Sequence, residues 1–117
     1  MSENYLVWGR VAEFAGRYSK MDENGDIVPD PETQGMVRRK LTALRRFFAD
    51  NGLLTVEAFD DQGTLIDQEC RKNDFTDEGI ELLRRKEGAW LNSKGSRKDP
   101  PDMKLLEKAL AEIRAGK

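Results

Sequence analysis

Histidine is missing from the chain of 117 residues, and cysteine occurs once, at Cys70. Without histidine there is no imidazole general base, no imidazole metal ligand and no His-dependent nucleophilic triad. A lone cysteine cannot form an intramolecular disulfide. That fits a reducing compartment, so a cytoplasmic protein is expected. Long apolar runs are lacking too. The longest near the start is Tyr5-Leu6-Val7-Trp8, after an acidic rather than basic beginning, so neither a signal peptide nor membrane association is expected. The sequence contains no phosphate-binding glycine loop, internal repeat or low-complexity tract. No cofactor and no resident metal are expected, and the reading is of a protein that is not an enzyme.

What the chain has instead is charge. Charged residues make up 36% and apolar residues 38%, and the formal net charge is −2. The length suits a single domain over residues 1–117 with one core. A net charge so close to zero gives no global attraction to nucleic acid or anionic lipid. The charges are nevertheless arranged in blocks: −4 over residues 1–33, +4 over 34–51, −7 over 52–82 and +5 over 83–117.

Periodicity divides the chain into segments. Val7, Val11, Phe14 and Tyr18 recur at helical spacing and predict a helix over 4–19, although Gly9 and Gly16 leave a strand open for the first dozen residues. Asn24-Gly25 and the prolines Pro29 and Pro31 break the pattern. A second helix is predicted from Glu32 to Asn51, stopped by Gly52 and burying Val37, Leu41, Leu44 and Phe48. From Leu54 to Lys72 the period approaches two around Asp60-Asp61-Gln62-Gly63, as in a β-hairpin. Thr76 is a predicted N-cap for a third helix burying Ile80, Leu83, Trp90 and Leu91. A fourth, opened by Pro100-Pro101, carries Met103, Leu106, Leu110 and Ile113 on one face. The expected class is α+β: about four helices with one central β-hairpin, in the order helix-helix-hairpin-helix-helix.

Four features bear on function. Asp22, Asn24 and Asp26 match the first, third and fifth positions of a calcium loop, but Ile27 and Thr33 stand where that loop needs glycine and glutamate. A solvated loop or hairpin turn is the reading. On helix two, Arg38, Arg39, Arg45 and Arg46 fall on an arc of about 120° at 100° per residue, a stripe that calls for anions opposite. Those anions are phosphates, a partner's carboxylates or this chain's own acids. The predicted hairpin is acidic, and its candidate contact residues are Glu57, Phe59, Asp60, Asp61, Asp67 and Glu69, with Phe59 pointing away from the Val56 face as an anchor. Glu87 lies inside an apolar stripe and needs a partner, expected to be Arg84 or an arginine of helix two. Cys70 reads as a small apolar strand residue.

Two functional expectations follow. In the first, the chain is a small cytosolic protein-interaction module whose acidic hairpin docks on a basic protein surface. In general character, with no motif matched residue by residue, it is similar to immunity proteins that plug bacterial toxins and to phage accessory factors. In the second, the arginine stripe makes it a nucleic-acid-associated factor. An exposed strand edge also leaves pairing with a second copy open.

Overall fold

The computed structural model describes residues 3–116. Its elements are β1 (Leu6–Trp8), α1 (Val11–Ala15), β2 (Ser19–Met21), β3 (Ile27–Pro29), α2 (Pro31–Asp50), β4 (Cys70–Arg71), α3 (Asp77–Leu82), α4 (Gly88–Leu91) and α5 (Lys104–Arg114). A π-type turn, Leu83–Glu87, joins α3 directly to α4, so residues 77–91 form one continuous rod. The class is α+β, with four helical rods and two antiparallel strand pairs among the described residues. Among the described residues no helix is long and apolar enough to cross a membrane.

α2 is the spine. Asp30 caps it by accepting from the Thr33 backbone N–H at 3.2 Å and the Thr33 hydroxyl at 2.7 Å, and Pro31 fills the first turn, where its missing N–H costs nothing. Gly52 ends it at a φ of 68°, a left-handed conformation that lets the Leu53 N–H reach back to the Phe48 carbonyl at 2.9 Å. Of the predicted inward face, Val37, Leu44 and Phe48 are buried, Leu41 is only partly covered, and Phe47 joins the core. Trp8 packs edge-on against Phe48 and Phe75, with ring centroids 5.0 and 4.8 Å away. Edge-to-face contacts of this kind add to the area the rings bury. Leu53, Leu82, Trp90 and Leu106 complete this centre. Cys70 is buried on β4, where burial pushes its thiol pKa up, so it behaves as a small hydrophobe.

The structure corrects three details. Residues 4–19 do not form one helix. They split into β1, α1 and the start of β2, because Trp8 is pulled into register with Cys70 on β4 and Gly9 releases the chain after it. Of the predicted inward face, Val11 is buried, Phe14 and Tyr18 are left exposed, and Ala15 is buried beside Val11. Regular hairpin pairing lies at β2–β3, around the Asn24-Gly25 turn, where Asp22 Oδ1 accepts from the N–H groups of Asn24 and Asp26. The expected hairpin over 54–72 is reduced to single bridges, Phe59 with Leu65 and Leu54 with Phe75. Its last residues pair with β1 rather than with its own first arm. In the third rod Leu82 and Trp90 are fully buried, while the predicted Ile80, Leu83 and Leu91 are only partly covered, since the π-type turn shifts the helical phase.

Candidate functional site

The acidic segment between α2 and β4 is held as a loop by the two arginines at the end of α2. Arg45 is buried, and its guanidinium donates to the carbonyls of Gln68, at 2.7 Å, and Gly9. The same group lies 5.2 Å from the Trp8 ring centroid. Arg46 donates to the Gly63 carbonyl at 2.8 Å and sits 3.9 Å above the Phe59 ring. The tip is tied by Asp60, whose Oδ1 accepts from the N–H groups of Gln62 and Thr64, both at 2.9 Å. The Gln68 side chain closes the base by donating to the Glu57 carbonyl at 2.7 Å.

These contacts decide how the charge blocks meet. The basic helix grips the acidic loop through backbone carbonyls, not through carboxylates. Among the described residues none of Glu57, Asp60, Asp61, Asp67 and Glu69 forms an ion pair. The ion pairs present are exposed and lie elsewhere, as between Arg85 and Glu81 or Arg114 and Glu78. Glu57, Asp60, Asp61 and Glu69 are exposed on the loop, with Val56 and Ile66 exposed among them.

The other predicted contact residues have structural work. Asp67 caps α1, accepting from the N–H of Val11 at 2.6 Å and of Ala12 at 3.0 Å. Phe59 is half-buried under Arg46 rather than pointing free, because the loop folds back over the helix instead of forming a flat hairpin. The arginines do not form one outward stripe. Arg45 faces in, Arg46 covers the loop, Arg39 is 3.9 Å from Asp99, and Arg38 and Arg46 are exposed without an ion pair among the described residues.

A second region gathers around Glu87, at the end of the π-type turn. Its Oε2 accepts from the Trp8 indole N–H at 2.7 Å, so its partner is a tryptophan and not the expected arginine. Burial pushes its carboxyl pKa above the ordinary 4.5, and the Trp8 hydrogen bond offsets this only in part. An acid with a raised folded-state pKa is most favourable to folding below its unfolded value, and that contribution is lost as the pH rises through the folded value. Glu87→Gln keeps the acceptor for Trp8 and removes the buried charge. The variant is therefore expected to melt higher than the wild type at pH 7 to 8, about two to four units above the ordinary carboxylate range, with the difference vanishing near pH 4. Thermal melts across that range check it, and a wild type more stable at every pH contradicts it. Glu87 lines a hollow of about 190 Å³ with Trp8, Phe14, Leu41, Leu44 and Arg45. Phe14, Leu41 and Leu91 also line a second hollow of about 260 Å³.

The third feature is the β2–β3 arm, where Met21 and Ile27 face each other as a cross-strand pair, 66% and 69% exposed. Neither this pair nor the Glu87 hollow was marked by the sequence pattern. Comparison with protein-family models, curated proteins and solved structures gives no match.

Proposed function

We propose that this protein is a protein-interaction module that binds a basic partner surface through the outer face of the 53–69 loop. The observation that supports this is the way α2 holds the loop. Arg45 and Arg46 bond its carbonyls, and its carboxylates are left exposed and without ion pairs among the described residues. A segment anchored from behind presents its charges with little ordering left to lose on binding. Glu57, Asp60, Asp61 and Glu69 supply attraction, and Val56 and Ile66, exposed between them, supply the apolar contact that Phe59 cannot. A small acidic binder of a basic protein has the build of an inhibitor or immunity-type protein, acting in a reducing compartment such as the cytoplasm. Nucleic-acid binding through α2 has less support, because Arg45 is buried and Arg46 is committed to the loop.

The test is a tagged pull-down from native lysate, with the eluate checked for protein and nucleic acid. The reading expects a basic protein that is retained by the wild type and lost with the double variant Asp60→Lys, Asp61→Lys. It also expects weaker retention with Val56→Ser, Ile66→Ser. A complex that survives both double variants removes the loop from the account. An eluate of nucleic acid alone moves the function to the basic helices.

A further inference from the structure

The Glu87 hollow has features that protein docking by the loop does not use. Its walls are Val7, Phe14, Leu41, Leu44 and Leu91. Among the described residues Glu87 Oε2 is taken by Trp8, and Oε1 has no hydrogen-bond donor. Among the described residues no side-chain polar atom is both buried and without a partner, so Oε1 keeps some solvent exposure, and its residue lines the hollow. The one cation in the wall, Arg45, has its two terminal nitrogens committed to Gln68 and Gly9 and its face over Trp8. Those bonds hold its terminal nitrogens on backbone carbonyls, its charge repels a cation, and the Glu87 carboxylate repels an anion. Lys40, which lines the second hollow, donates to the Leu91 carbonyl and repels a cation as well. Apolar walls, one open acceptor, and charges of both signs that disfavour either kind of ion select a neutral molecule with a single donor. The volume, about 190 Å³, exceeds the roughly 150 Å³ that suffices for one benzene ring. The acceptor sits at a π-type turn, a distortion that recurs at functional sites.

We propose that the hollow between β1, α1, α2 and the π-type turn is a binding site for a neutral single-ring aromatic group bearing one O–H or N–H donor. The ring lies between Phe14, Leu41 and Leu91, and its donor bonds Glu87 Oε1. Phenol is the simplest probe. The reading does not depend on the loop's role, and its test involves no loop residue.

The experiment is an NMR titration that follows the Trp8 indole N–H, which is bonded to the proposed acceptor. Phenol is expected to move that resonance saturably. Toluene, with the ring but no donor, should bind about tenfold more weakly, the loss expected from about 1.4 kcal/mol. Benzylammonium should also bind more weakly than phenol. Leu41→Trp, which fills the hollow, should abolish the phenol response. Glu87→Met keeps the volume without the acceptor and should make phenol and toluene equal, an outcome that a purely structural role for Glu87 would not produce. N-acetyltyrosinamide separates the sources: if it matches phenol the group is a partner's side chain, and if it fails where phenol binds the ligand is a free molecule. The proposal is overturned by no saturable shift, by toluene or benzylammonium matching phenol in the wild type, or by phenol binding unchanged in Leu41→Trp.

Discussion

Arg45→Ala is expected to destabilise the fold by about 3 to 5 kcal/mol, the scale of losing two hydrogen bonds to a charged group together with a cation–π contact. The side chain donates to the carbonyls of Gln68 and Gly9, and hydrogen bonds to a charged group contribute about 1.5 to 3 kcal/mol each. Stacking over Trp8 adds about 0.5 to 2 kcal/mol more. Alanine removes all three contacts. The base of the loop and the start of α1, which Arg45 ties to α2, should open together. Burial also pulls the guanidinium pKa below its ordinary value, yet an arginine remains protonated at neutral pH. Urea unfolding followed by tryptophan fluorescence measures the loss. A cost below about 1 kcal/mol would place Arg45 among ordinary surface side chains and return it to the set available for phosphate contacts. The same result warns against reading lost nucleic-acid binding in an Arg45 variant as a lost contact.

Gly79→Ala sets two effects against each other. By helix propensity alone, alanine should gain about 1 kcal/mol. A β-carbon at this position, however, would lie 2.6 Å from the Leu53 carbonyl oxygen. That oxygen is backbone, fully buried Leu53 carries it, and it accepts from the Thr76 N–H at 2.9 Å and the Thr76 hydroxyl at 3.3 Å. Relief requires α3 to move off its own N-terminal anchor. Overpacking of this kind costs about 1 to 3 kcal/mol, so the net effect is expected to be destabilising. Gly35→Ala is the control. It lies inside α2 with no atom within 4 Å of an added β-carbon, and it should stabilise by about 0.5 to 1 kcal/mol. Chemical denaturation of both variants decides it: equal signs would contradict the close approach at Gly79.

The helices were legible where an apolar stripe, a cap and a stop agreed. α2 carries all three, with Val37, Leu44 and Phe48 in phase and Gly52 beyond its end. Thr76 likewise caps α3, bonding the Gly79 N–H at 3.1 Å. The N-terminal segment misled because Val7, Val11, Phe14 and Tyr18 hold helical spacing while the register of β1 is set by β4, more than sixty residues away. No local window contains that information. The acidic loop was legible as a charged surface, but not in its internal bonding. Arg45 reaches carbonyls, and carbonyls carry no signature in a sequence. The same holds for Arg46 covering Phe59 and for Trp8 bonding Glu87. Glu87 itself could be found, as a carboxylate in an apolar stripe, and its partner could not. A tryptophan close to a buried acid is a pairing that charge-matching overlooks. Met21 and Ile27 could have been read as a cross-strand pair once Asn24-Gly25 was taken as a two-sided turn signal.

The central claim is that the carboxylates on the outer face of the 53–69 loop are there for a basic partner. With that partner recovered, the direct measurement is its association rate with the wild type and with the Asp60→Lys, Asp61→Lys double variant, across a series of salt concentrations. Electrostatic steering changes association rates by about 10- to 1,000-fold at low ionic strength and is screened as salt rises. The account predicts a wild-type rate that falls steeply with salt, and a variant rate at least about tenfold lower at low salt that hardly falls or even rises as salt is added. Rates that coincide at every salt concentration would contradict it.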